Sequence, residues 1–214
     1  MNDRRESEQA QVEAERPDEE SGNPVKEMFV LAALYLPMAF FIWFSFASGL
    51  MWLPGRLVDL ALTGLYPSLF DDVVQMGFRY EIQTSIRVPQ PDGRVGLLTL
   101  VVNPMIYAWG MALLFGLTMA TPMSMKRKAG QVLIGYVVIV FVAGWGAFWE
   151  SWMKLAFQVG DAGAQAVAGT ALSPTAIALM YQLGYLMLPA VIPLAAWILM
   201  NRPFLERVAF GPRR

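Results

Sequence analysis

Four long apolar blocks, set apart by polar stretches, dominate the hydrophobic pattern of this chain; they cover residues 28–53, 104–121, 131–150 and 175–200. At about 1.5 Å per residue, blocks of this length match a hydrocarbon core of roughly 30 Å. The second block is the best punctuated. Asn103 suits an N-cap, and Pro104 suits a first helical turn, where a missing N–H costs nothing. Pro122 stops the helix, and Lys126, Arg127 and Lys128 follow directly. Within it Ala108, Ala112, Gly116 and Ala120 recur every fourth residue. Such a stripe lets a second helix approach closely where lipid supplies no hydrophobic drive, and bundle packing is its plainest use.

Residues 54–102 form the one sizeable polar-rich insert between blocks. In 56–76, Leu57, Leu60, Ala61, Leu65 and Leu69 recur at helical spacing, while Asp59, Asp71 and Asp72 lie off that stripe and Pro67 interrupts it. This spacing predicts an interfacial amphipathic helix, or two short ones. Tyr80, Ile82, Thr84, Ile86 and Val88 then alternate with Glu81, Gln83, Ser85 and Arg87. Period two predicts a half-buried strand. Pro89 to Gly93 reads as a turn, and 95–102 as the return strand of a hairpin. A lone hairpin is marginal in water and needs a surface to cover it.

Trp145, Trp149 and Trp152 stand at and just past the outer end of the third block, which by position predicts an aromatic belt at the outer interface. Glu150 and Lys154 lie four apart among these rings and are spaced to pair on the helix. The small-residue stretch 158–172 predicts a loop. Ser173 and Pro174 repeat the cap-plus-proline start, and Pro189 and Pro193 predict a bend in the fourth block. Tyr181, Gln182 and Tyr185 are polar groups suited to hydrogen bonds between helices.

Composition sharpens the class. The 214 residues are 56% hydrophobic and 15% charged, too apolar for an ordinary soluble domain. Residues 1–24 depart from this, being polar and charge-mixed, which predicts a disordered tail; 203–214 form a second tail. A net charge of −1 with no basic domain speaks against nucleic acid. Neither cysteine nor histidine occurs, so no disulfide, thiolate or imidazole chemistry can be built, and no metal or cofactor is expected. The basic residues bias the orientation. Arg4, Arg5, Arg16, Lys26, the 126–128 cluster, Arg202, Arg207, Arg213 and Arg214 fall in the inner segments, against Arg56, Arg79, Arg87, Arg94 and Lys154 in the outer ones. Positive charge near span ends marks the cytoplasm. The expectation is an all-α membrane protein with four transmembrane helices (residues 25–202 in all), a periplasmic amphipathic helix and a small β-hairpin between the first two spans. Both termini are then cytoplasmic.

The chain also resembles a bacterial family, the exosortase H-associated membrane proteins. The resemblance is carried by WLPGRLVDLALTGLYP (52–67), by NPMIYAWGMALLFGLTMATP (103–122), and by YQLGYLMLPAVIPLAAW (181–197) followed by RPFLE (202–206). It implies an inner-membrane protein working beside an exosortase, an enzyme that uses a Cys-Arg-His set to process a sorting tail. A chain without Cys or His cannot supply that set, so the resemblance implies an accessory role.

Three function classes follow. The first is a non-enzymatic accessory protein, embedded in the lipid bilayer, that binds or stabilises another integral membrane protein, the exosortase, or its substrate tail. Its candidate contacts are Gln83 and Arg87 on the hairpin, Asn103, Tyr107, Ala108, Ala112, Gly116 and Ala120 along the second block, and Glu150, Tyr181, Gln182 and Tyr185. The second is a transporter or channel subunit, for which Glu150 and the proline-broken spans speak; four spans make a pore only as a homo-oligomer. The third is an intramembrane enzyme using Asp71, Asp72 and Tyr107, but adjacent acids point apart. The topology is directly testable: a reporter fused after Arg214 should be active only where cytoplasmic fusions are, and activity outside the membrane would overturn the orientation.

Overall fold

The computed structural model describes residues 24–89 and 94–210. The predicted tail of residues 1–24 lies outside them apart from Pro24, as does most of the predicted turn. Helix α1 (Pro24–Ser45) is followed by the short α2 (Ala47–Leu50) and by α3 (Trp52–Leu65). Strands β1 (Phe70–Met76), β2 (Arg79–Pro89) and β3 (Val95–Val102) come next. Then follow α4 (Met105–Ala108), α5 (Gly110–Ala120), the long α6 (Met125–Phe157) and α7 (Asp161–Ala168). Helix α8 (Pro174–Gln182), a π turn (Leu183–Met187), α9 (Leu188–Met200) and α10 (Arg202–Phe210) complete the chain.

Among the described residues, three helical stretches are long and apolar enough to cross a membrane: Lys26–Ser45, Met125–Phe157 and Pro174–Met200. The second predicted span is shorter, Met105–Ala120, and Trp109 divides it. At 1.5 Å per residue it measures about 24 Å, less than a hydrocarbon core. The first block does not run as one helix to Leu53. It is interrupted at Phe46 and Met51, and its end belongs to α3. The third helix extends well beyond the apolar window at both ends. Lys126, Arg127 and Lys128 are good helix formers, and hydropathy bounds the part in lipid rather than the hydrogen-bonded element.

The insert differs most from expectation. Helix α3 ends at Leu65, and Pro67 bars its continuation because the residue before a proline avoids helical backbone. Residues 70–76 are a strand rather than helix, so the predicted hairpin is a three-stranded antiparallel sheet in the order β1-β2-β3. Val73 pairs with Ile82 and Gln75 with Tyr80; Tyr80 in turn pairs with Val102. Gly77 takes φ +64° in the tight β1–β2 turn, a conformation glycine adopts without a Cβ clash. The alternation of β2 holds: Tyr80, Ile82 and Thr84 are buried, Gln83, Ser85 and Arg87 exposed. On α3 the buried side carries Pro54, Gly55, Val58 and Leu62, whereas Leu60 and Leu65 of the predicted stripe are exposed. The sheet and α6 together cover this side, where Gly55 lets the Tyr80 ring approach.

The cover for the sheet is α3, the last turns of α6, and α7. Phe70, Val73, Tyr80, Ile82, Leu100 and Val102 share one core with Val58, Leu62, Trp152, Leu155 and Val167. Trp152 is fully buried, with Tyr66 and Phe70 edge-on at centroid distances of 4.6 and 5.3 Å. It is therefore a core anchor and not a belt residue, because the sheet folds over it. Burial holds the Tyr80 hydroxyl above the ordinary phenol range, with nearby Tyr136 adding to the effect, so it stays protonated and donates to the Met51 carbonyl. The predicted loop 158–172 contains α7. Ala162, Ala164, Ala166 and Ala168 are the strongest helix formers, and Gly160 at φ +79° precedes the helix.

The small-residue stripe is used inside the chain. Ala108, Ala112, Gly116 and Ala120 are all buried, and a Cβ on Gly116 would lie 2.7 Å from Leu36 of α1. The fourth block starts as expected, with Ser173 Oγ accepting from Ala176 N at 3.2 Å. A π turn stands just before Pro189, and the Pro189 carbonyl and the Pro193 ring press on Gly110, where no side chain would fit.

Trp152→Ala should destabilise the fold by about 3–5 kcal/mol, since it removes the ring on which sheet and helices meet. Unfolding in micelles measures this. Trp145→Ala, at a half-exposed ring, should cost clearly less, and equal costs would contradict the assignment.

Candidate functional site

The polar side chains buried between helices gather at two levels of α6. The upper group begins with Glu150, which is 5% exposed. Its Oε2 accepts from the Tyr107 hydroxyl at 2.9 Å, and its Oε1 pairs with Lys154 Nζ at 2.9 Å. Lys154 also donates to the Val101 carbonyl at the end of β3. One charge pair thus ties α6 to α4 and to the sheet. Local sequence explains each placement. Glu150 and Lys154 stand one turn apart, and the expected pair is formed. Tyr107 reaches Glu150 because α6 presents Gly146 beneath its ring; a Cβ there would overlap the ring. Asn103 Oδ1 accepts from Met105 N at 3.2 Å, which fixes the entry to α4.

Tyr181 lies close enough to Tyr107 and Glu150 to interact with both. It stacks on Tyr185 at 5.9 Å, and Tyr185 meets Tyr107 edge-on at 6.5 Å. The three tyrosines and Glu150 are therefore brought together from α4, α6, α8 and the π turn. Tyr185 is 48% exposed and forms the open rim of the cluster, whereas Gln182 is exposed.

The lower group was not legible in the sequence. Gln131 and Asn201 exchange two amide hydrogen bonds, each 3.0 Å, and Asn201 Nδ2 also donates to the Trp197 carbonyl at 2.9 Å. Trp197 Nε1 donates to Thr121 Oγ1 at 3.1 Å. Lys128 Nζ reaches the Met119 carbonyl at 2.6 Å and satisfies the end of α5. These contacts lock α5, α6 and α9 at the end carrying the basic cluster. Gln131 and Asn201 lie 70 residues apart, and nothing local signals that they meet.

The remaining candidates lie on the sheet. Gln83 and Arg87 are exposed and flank an irregularity in the β2–β3 register. Next to them β3 exposes Val95, Leu97 and Val101 at 67, 60 and 45%. Asp71 and Asp72 serve separate ends: Asp71 Oδ1 accepts from Ser85 Oγ and Asp72 Oδ1 from Val73 N, both at 2.8 Å. No cluster of three or more acidic side chains able to hold a metal ion exists among the described residues.

The family model described as exosortase H-associated membrane protein matches residues 22–204. The chain belongs to that family. The match covers every apolar block, the sheet and both buried polar groups. No curated protein and no solved structure matches the chain. As a family member it is an exosortase-associated membrane protein, in agreement with its several apolar helices able to span a membrane.

A double-mutant cycle tests the upper group. Lys154→Met alone leaves Glu150 buried without its cation and should cost about 3 kcal/mol. Adding Glu150→Gln should recover much of that loss, and simple additivity in thermal unfolding would refute the coupling.

Proposed function

We propose that this chain is a non-enzymatic accessory protein of an exosortase-type sorting system in the bacterial inner membrane, binding or stabilising the processing enzyme or its substrate tail. The observation that carries this reading is the outward face of β3. An edge strand that exposes Val95, Leu97 and Val101 beside Gln83 and Arg87 leaves apolar side chains, and a strand edge that β2 does not cover, for a partner. Such edges accept an extended segment by strand addition. The buried groups support the same reading. Glu150 has both oxygens engaged, by Tyr107 and Lys154, which favours a structural use over ion transport or acid catalysis. The association named by the family supplies the class of partner.

In this reading the four apolar blocks cross or enter the membrane with both termini cytoplasmic, and the sheet stands outside. The short α4–α5 segment completes the bundle by packing on α1, α6 and α9 rather than by its own length. The partner-contact set narrows to its exposed members, since the helix stripe is occupied internally.

A photo-crosslinker at Gln83, Arg87 or Leu97 should capture a multi-span protein carrying a Cys-Arg-His set from native membranes. One at the buried Ala112 should capture nothing outside the chain. Glutamate at Val95, Leu97 and Val101 together should abolish capture without changing thermal stability. Capture of a second copy alone would favour an oligomeric transporter or channel subunit.

A further inference from the structure

A groove and a cleft elsewhere in the molecule are left over from the packing described above. Where α2 and α3 meet the free edge of β1, a groove of about 710 Å³ is lined by Ser48, Trp52, Arg56, Asp72, Gln75 and Tyr80, among others. That is the size of a small-molecule pocket. Its wall is built rather than loose. Gln75 Nε2 donates to the carbonyls of Ser48 and Gly77, each at 2.7 Å, and Ser48 Oγ donates to Gly77 O at 3.0 Å. The groove holds one cation and one anion. Arg56 lies 5.8 Å from the Trp52 ring centroid and 3.8 Å from Asp59 Oδ2, and its side chain is 62% exposed. Asp72 is exposed on the opposite, strand side.

Arg56 also borders a second cavity of about 360 Å³, lined by Leu53, Leu57, Leu60, Val140 and Phe141 with Val137. This cleft lies between α3 and the apolar stretch of α6 that is long enough to cross a membrane, and it opens at Leu60 and Phe141, which are 71 and 61% exposed. The polar groove also has an apolar wall, where Trp52 is 56% exposed. A polar groove with paired charges, an apolar cleft beside it, and an arginine shared by both match an amphiphile whose polar end carries both signs.

We propose that this surface binds a phospholipid with a zwitterionic phosphoethanolamine headgroup. Arg56 takes the phosphate, as a guanidinium does through paired N–H donors. Asp72 takes the ammonium. One acyl chain lies in the cleft along Leu53, Leu57 and Leu60, where it replaces bulk lipid against Phe141. A purely anionic headgroup would leave Asp72 facing negative charge, and a methylated ammonium would deny Asp72 its hydrogen bonds.

Native mass spectrometry of the full chain, released from micelles doped with phosphatidylethanolamine, phosphatidylglycerol or phosphatidylcholine, tests this. The chain should retain one phosphatidylethanolamine about tenfold over either competitor. Arg56→Gln should reduce that retention about tenfold, and Arg56→Lys should restore part of it. Asp72→Asn should shift the preference toward phosphatidylglycerol, a change that general loss of structure would not produce. Free phosphoethanolamine at the same concentration should compete weakly, because the cleft contributes to binding only through the acyl chain. Equal retention of the three lipids, indifference to both substitutions, or displacement of the lipid by an extended acidic peptide would each overturn the proposal.

Discussion

Helix α6 has 33 residues, so at 1.5 Å per residue it measures about 50 Å, well beyond a hydrocarbon core of roughly 30 Å. Its last turns carry Trp149, Glu150, Trp152 and Leu155, and these side chains cannot all be left in water. The fold around this end of α6 is the answer to that constraint. The sheet and α3 close over Trp152, α7 covers Leu155 through Gly163, and α4 supplies the Tyr107 hydroxyl to Glu150. The carboxylate is placed where two helices and a strand converge, and each of its oxygens has a donor. A buried ion pair contributes little net stability, but a broken one is costly, so the pair fixes one arrangement of sheet on bundle.

The same helix is fastened at its other end by neutral groups. The reciprocal Gln131–Asn201 amides, with Trp197 and Thr121, hold α6, α9 and α5 without placing a charge in the bundle. Hydrogen bonds of this kind between membrane helices are each worth about a kcal/mol or less, and they specify register more than they stabilise. Close approach supplies the rest. Gly116 admits Leu36 and Gly110 admits the Pro189 carbonyl, so the short α5 is held by neighbours on several sides.

Two surfaces are left outside this internal bracing. One is the β3 edge with its exposed valines and leucine; the other is the groove at Arg56 with its apolar cleft. They lie at opposite edges of one three-stranded sheet, since β1 and β3 flank β2. A protein that meets lipid at one edge and a partner at the other would set the height and orientation of that partner relative to the bilayer.

The family, the apolar blocks, the Glu150–Lys154 pair, the β2 alternation and the Ser173–Pro174 cap were all legible in the sequence. Each rests on spacing within a single element or on the order of local motifs. Tertiary structure decided the rest. Residues 70–76 became a strand because β2 offered an edge, Trp152 left the belt because the sheet covered it, and an alanine-rich loop became α7 because Val167 found a core. The Gln131–Asn201 lock and the Arg56 groove join residues far apart in the chain, and no local period records such a meeting. Sequence determined which stretches seek lipid and which alternate; which apolar face meets protein depended on what packed against it.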